Sequence, residues 1–177
     1  MTEYKRIKLS VQDKSILRDI YDELEKIKLG KTYRKTKINN QGHKIRTGTY
    51  KQKNAYQGCF GLSRFRGKSF ESYFQKKHPH MMVLFKKFIQ SHNPSFEFKS
   101  VYVNKNVVCD KHKDSLNMGT SLLVGVGDYK GGQSMLNVNG KTKKISIKSS
   151  SIMFNGTEIE HWSLPFEGTR YSLVFFN

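Results

Sequence analysis

Residues 121–176, SLLVGVGDYKGGQSMLNVNGKTKKISIKSSSIMFNGTEIEHWSLPFEGTRYSLVFF, decide the fold. Within them, Ser121 to Val126, Ser134 to Val138, Lys143 to Ile147, Ser151 to Phe154, Glu158 to Leu164 and Arg170 to Phe176 are short, largely alternating apolar runs. Pairs that favour tight turns, Gly131-Gly132 and Asn139-Gly140, separate several of them. One more run, Phe96 to Val108, comes just before. Alternate side chains of a strand point to opposite faces, so each run reads as a strand with one buried face. Short strands at this spacing predict a sandwich or jelly roll able to hold a ligand between two sheets.

Upstream the periodicity is different. Val11, Ile16, Leu17, Ile20, Leu24 and Ile27 recur at helical spacing from Ser10 to Leu29, with Ser10 as an N-cap and Gly30 as a stop. Lys31 to Lys53 is basic and poor in apolar residues, and reads as a long loop or weak hairpin: either an arm that contacts phosphates or a solvated loop. Between Ser69 and Gln90 the apolar positions predict one helix up to Lys77, a break at Pro79 and a second helix after it. Their aromatics sit at the spacing of a buried helical face. The expected architecture is α+β, a single domain over 1–177. A helical and basic-loop layer (1–95) packs outside a closed antiparallel jelly-roll barrel (96–177).

The charge carries functional information. Lys and Arg outnumber Asp and Glu by 32 to 14, a formal net charge of +18, and 25 of the 32 are lysine. A field of that sign attracts polyanions, so nucleic acid, DNA before RNA, is the expected partner. A lysine-rich coding bias is the plain alternative. No apolar run reaches the roughly eighteen residues of a membrane span, and Met1 to Ser10 has no signal-peptide core. A soluble, intracellular protein with no obligate protein partner is expected. Cys59 and Cys109 lack paired spacing and read as buried thiols, not as a disulfide or zinc site.

The chemistry begins at Cys109-Asp110-Lys111-His112-Lys113-Asp114. His112 and Asp114, two apart on a strand or its frayed end, share a face, and His161 follows 49 residues later in a strand-like run. Two imidazoles and a carboxylate on one side of a metal leave positions open, the arrangement of non-heme iron(II). Arg170 and Ser172 then share a face at the head of the last apolar strand. An arginine inside a small barrel is costly unless it meets an anion, and its fork fits a carboxylate bidentately.

The His-x-Asp, distal His and Arg-x-Ser series over Val101 to Asn177 resembles the double-stranded β-helix oxygenases that use iron(II), 2-oxoglutarate and dioxygen. Thr169-Arg170-Tyr171-Ser172-Leu173-Val174-Phe175-Phe176 is similar to the closing strand of the TET/JBP nucleic-acid base oxygenases. Val103 to Val108, Gly127-Asp128-Tyr129-Lys130-Gly131-Gly132 and Glu160-His161-Trp162 further resemble compact members from algae and large DNA viruses. The resemblance covers the last 80 residues well and the N-terminal 95 loosely. It implies that His112, Asp114 and His161 ligate iron(II), that Arg170 with Ser172 anchors the distal carboxylate of 2-oxoglutarate, and that dioxygen completes the site. It also implies a pyrimidine methyl group as the hydroxylation target, read by Asn117 and stacked on Phe176. A nuclear or virus-factory setting would follow from such an origin. Asn177 follows Phe176 where the family often has a histidine, and the cysteine-rich region of animal members is missing, so target base and duplex form stay open.

Other residues carry weaker signals. Asn104 could face the cosubstrate, or serve as a strand-end amide; Arg64 could approach a carboxylate or phosphate, or be solvated. Asn117 doubles as a turn residue beside Gly119, and Phe176 as a core aromatic. Trp162 should point away from His161. His43, His78, His80 and His92 have no partner spacing and read as surface residues. Two further functions remain open: a protein side-chain hydroxylase on the same barrel, and a nucleic-acid-binding jelly roll without catalysis.

Overall fold

A computed structural model describes residues 3–38, 42–43, 50–115 and 119–177. In chain order the elements are β1 (Tyr4–Lys8), α1 (Val11–Leu24), β2 (Gly30–Lys31), β3 (Lys35–Thr36), β4 (Tyr50–Lys51), β5 (Tyr56–Phe65), β6 (Lys68–Glu71), α2 (Tyr73–Lys77) and α3 (His80–His92). The remaining strands are β7 (Ser100–Lys105), β8 (Ser121–Val126), β9 (Tyr129–Gly131), β10 (Ser134–Val138), β11 (Lys141–Ile145), β12 (Ser150–Phe154), β13 (Glu160–Ser163), β14 (Phe166–Gly168) and β15 (Tyr171–Phe176).

Among the described residues the strands form a large antiparallel sheet in the order β1-β12-β8-β15-β7-β5-β2, with β6 beside β5. Two smaller pieces, β11-β10-β13 and β9-β14, complete the jelly roll. The period-two reading holds on the large sheet. Leu122, Val124, Val101, Val103, Leu173 and Phe175 pack into a core with Ile16, Ile20 and Leu24 of α1 and Met81, Phe85 and Phe88 of α3. The intervening residues, Ser121, Leu123, Tyr102, Asn104, Ser172 and Val174, face a cavity. A second core, including Leu123, Leu136, Ile145, Ile152 and Phe154, fills the space between β8-β12 and β10-β11.

Helix α1 starts as expected: Ser10 and Asp13 form a reciprocal capping box. It stops at Leu24, short of Leu29, where Lys26 and Ile27 switch to tighter i→i−3 bonds. The break at Pro79 falls where the sequence placed it. No helix among the described residues is long and apolar enough to cross a membrane.

The N-terminal layer differs from expectation in one respect. Besides helices and loop it supplies β1, which is an edge of the large sheet, and the ten-residue β5, which pairs with β7 over Tyr56–Gly61. Gly58, in the middle of β5, is a close-packing position: a Cβ there would lie 2.9 Å from the Phe74 ring. The basic segment does close as a short hairpin, β3 against β4.

Candidate metal and cosubstrate site

The segment after β7 runs back along β13. His112 and His161 form an antiparallel bridge in which each backbone N–H donates to the other's carbonyl, at 3.0 and 2.8 Å. Cys109 is tied to the same strand, its N–H donating to Ser163 Oγ at 2.8 Å and its carbonyl accepting from the Ser163 N–H at 3.0 Å. The Asp114 N–H donates to the Gly156 carbonyl at 2.9 Å. Two chain segments far apart in sequence therefore hold three donor groups by backbone bonds, with the Ser163 hydroxyl adding one side-chain tie.

The ligand atoms of His112, Asp114 and His161 all lie within 4.8 Å of one another. Asp114 Oδ1 is 3.6 Å from His112 Nε2 and 3.7 Å from His161 Nε2. Each imidazole donates its Nδ1–H to a backbone carbonyl, His112 to Asp110 at 2.6 Å and His161 to Ile159 at 2.9 Å. Those bonds fix the tautomer whose Nε2 lone pair faces the centre, the orientation a metal-binding histidine needs. Burial pushes the Asp114 carboxyl up, but the neighbouring His112, His161 and Arg34 outweigh it, so it is held below the ordinary carboxylate range. Burial, opposed by the Ile159 carbonyl and Asp114, lowers His161 and keeps it neutral. Neutral imidazoles and an ionised carboxylate are the forms that bind a divalent metal. The three residues fit iron(II) as its facial triad.

A cavity of about 240 Å³ is lined by this triad together with Arg170, Ser172, Asn104 and Phe176. Arg170 is 3% exposed. Its Nε donates to the Gly132 carbonyl at 3.1 Å, its Nη1 reaches the Val107 carbonyl at 3.5 Å, and it lies 5.8 Å from the ring centroids of Tyr129 and Phe166. Burial depresses its basicity. Among the described residues no carboxylate pairs with it. Nearby, the buried Tyr129 Oη interacts with Arg170 and lies where a Cβ on Gly125, the cross-strand neighbour of Ser172, would collide. A buried cation and a hydroxyl on one cavity wall describe a receptor for a carboxylate, and fit the distal end of 2-oxoglutarate.

Of the nine candidate site residues, the described structure places eight. His112, Asp114, His161, Arg170, Ser172, Asn104 and Phe176 share the cavity. Arg64 does not: it is exposed on β5, paired with Ser69 in the β5-β6 ribbon. Asn117 lies outside the described residues. Trp162 lines the cavity instead of packing away from it, because β13 is four residues long at the cavity rim and both of its sides reach the opening. Cys109 also lines the cavity, and neither cysteine is fully buried. His92 is not a surface residue; its side chain is 1% exposed.

Four contributors were missed. Arg34, from the basic segment, lines the cavity with Nη1 3.3 Å from His112 Nε2. Tyr129 and Gly132 belong to the glycine-rich turn, and a Cβ on Gly132 would stand 2.7 Å from Arg170 Nε. Gly156 faces Asp114, and a Cβ there would lie 2.2 Å from Oδ2. An arginine beside a run of lysines and a glycine in a turn look ordinary in sequence, and only the pairing of distant segments gives them a role.

No protein-family model matches the sequence, and no curated protein matches it. Solved structures do match. NgTET1 in complex with 5mC DNA superposes with a TM-score of 0.62 at 16% identity, covering 98% of this chain and 71% of that one. A prolyl-4-hydroxylase from Pseudomonas putida gives 0.59 at 12% identity over 100% of this chain and 93% of that one. A Trichoplax adhaerens prolyl hydroxylase in complex with a hypoxia inducible factor oxygen degradation domain peptide gives 0.57 at 13% identity over 99% and 84%. The chain has the double-stranded β-helix fold of the 2-oxoglutarate- and iron(II)-dependent oxygenases.

Proposed function

We propose that this protein is a 2-oxoglutarate- and iron(II)-dependent dioxygenase that oxidises a nucleic-acid base, the methyl group of a 5-methylpyrimidine (5-methylcytosine or thymine) in DNA being the leading target. The observation that carries the oxygenase reading is one cavity lined by the His112-Asp114-His161 triad and by a buried Arg170 that no carboxylate among the described residues pairs with. When bound, iron(II) would supply the chemistry for inserting oxygen into a C–H bond, with dioxygen as the oxidant and 2-oxoglutarate leaving as succinate and carbon dioxide.

The residues divide the remaining work. The backbone bridge sets the two imidazoles, and the Asp110 and Ile159 carbonyls hold their protons away from the metal side. Arg170, fixed by Gly132 and by the reciprocal bonds between its backbone and Asn106, binds the distal carboxylate with Ser172, while Asn104 lies across from Ser172 on β7. The wall of Leu123, Val174 and Phe154 limits water. Phe176 offers a ring on which a flipped base can stack, a contact that typically contributes about 1–3 kcal/mol. Asn117 would read the base edge.

The nucleic-acid reading is supported by the +18 charge, by Arg34 of the basic segment lining the cavity and by the likeness to NgTET1. The two prolyl hydroxylases favour a second reading, side-chain hydroxylation of a protein. Incubation of DNA containing 5-methylcytosine, and of thymine DNA, with iron(II) and 2-oxoglutarate should give oxidised nucleosides by mass spectrometry and matching succinate. Succinate coupled to peptide oxidation, with both DNAs unchanged, would overturn the base-oxidation reading.

A further inference from the structure

The β5-β6 ribbon has no role in the core or the cavity, yet its chemistry is distinctive. β5 pairs with β7 only as far as Gly61 opposite Ser100; beyond that point Leu62–Phe65 pairs with β6 alone. Ser100 is also the partner of Phe176, whose side chain lines the cavity. The ribbon thus leaves the large sheet at the Phe176 end of the cavity wall. Its tip, Arg66-Gly67, has positive φ at both residues (49° and 75°), the tight turn suited to a twisted hairpin.

Phe65 is 64% exposed and Phe70 47% exposed. Phe65 faces Lys68 across the ribbon and Phe70 faces Ser63, so both rings and Lys68 share one side. The Arg66 guanidinium lies 5.2 Å from the Phe65 ring centroid. The ribbon carries Arg64, Arg66 and Lys68 and a single acid, Glu71. Two aromatic rings left in water do nothing for stability in an isolated ribbon, whereas flat rings interleaved with cations match stacked bases between phosphates.

We propose that the β5-β6 ribbon is a nucleic-acid-contacting arm at the mouth of the cavity, with Phe65 and Phe70 stacking on bases and Arg66 and Lys68 engaging phosphates. This rests on the reading that the substrate is a nucleic acid. The complement is specific: an acidic peptide could satisfy the cations but would leave the two rings without planar partners.

The test is binding of fluorescein-labelled DNA, as a duplex of about 20 base pairs and as the same single strand, by anisotropy over a series of salt concentrations around 0.1 M. The wild type is compared with Phe65→Ala, with Arg66→Ala/Lys68→Ala and with Lys14→Ala on the exposed side of α1 as a charge control. Phe65→Ala should weaken binding at least about fivefold, the low end for one lost stack. The double variant should reduce the slope of log affinity against log salt by about 1.8, while Lys14→Ala leaves it within about 0.3 of wild type. Wild-type binding with unchanged affinity and slope in the ribbon variants overturns the arm alone. A wild type that ignores both DNAs but binds a poly-glutamate peptide overturns the nucleic-acid reading with it.

Discussion

His112 and His161 are joined by backbone, not by side chains: two mutual N–H···O bonds across one antiparallel bridge bring their ring centroids to 4.3 Å. Placement and ligation are therefore separable. His161→Ala removes a ligand but leaves the bridge intact. Binding of cobalt(II), followed by its visible spectrum, should weaken by more than about 100-fold, since even outer partners of metal ligands contribute 10- to 100-fold. Circular dichroism should be unchanged; loss of the fold in this variant would show that the side chain, not the bridge, holds the segment.

Gly156 tests the same centre from the other side. Its carbonyl accepts the Asp114 N–H, and a Cβ on it would stand 2.2 Å from Asp114 Oδ2 and 3.4 Å from His161 Cε1. Gly156→Ala must push the carboxylate aside. The expectation is a fall in cobalt(II) affinity of at least about tenfold while the melting temperature shifts by no more than about 3 °C. Normal affinity would mean that Asp114 has room to relax or is not a ligand.

Arg170 sets stability against function. A buried guanidinium whose partners are carbonyls is costly, and replacing a buried charge by an apolar side chain of similar size is often neutral or stabilising by about 1–4 kcal/mol. Arg170→Met should melt at or above the wild-type temperature without ligand. With a redox-inert divalent metal and 2-oxoglutarate at about 100 times its Kd, the wild type should gain about 2.7 kcal/mol and the variant nothing. A variant that still responds to 2-oxoglutarate would remove Arg170 from the anchor.

Much of this site was legible because its residues obey the strand period. Ser121–Val126 and Ser134–Val138 match the runs read from sequence residue for residue, and Arg170 and Ser172 keep the shared face that alternation gives them. What escaped depends on distant segments. Tyr56–Phe65 was hidden because Gly58 and Gly61 look like turn signals, while Gly58 is a contact point for Phe74 and Leu29. Arg34 gains its place only because Gln52 bonds both backbone groups of Val108, and Lys37 and Thr36 bond the Asp110 carboxylate, which fastens the basic segment to the metal-binding one. Lines of composition around Arg34 carry no trace of those partners.

His92 is the sharpest case, since its partners are 79 and 59 residues away. Asp13 Oδ2 accepts from His92 Nδ1 at 2.8 Å, and His92 Nε2 bonds Ser151 Oγ at 2.7 Å. These bonds tie the start of α1, the end of α3 and β12 together on the helix side of the large sheet. Burial pushes the Asp13 carboxyl up, but hydrogen bonds from the Ser10 N–H, His92 and Ser91 outweigh it, so the folded-state value lies below its ordinary 3.8. A carboxyl depressed on folding contributes stability above its unfolded value, and loses it as pH falls through the folded one. Asp13→Asn should therefore lower stability at pH 7 by about 3 kcal/mol, a melting-temperature drop of roughly 6–12 °C. The gap to wild type should hold down to about pH 5 and narrow below about pH 4. His92→Ala should cost a similar amount at pH 7 and leave cobalt(II) affinity unchanged, because none of the three residues lines the cavity. A wild-type advantage that persists undiminished at pH 2 would show that packing around Asp13, not its charge, supplies the stability.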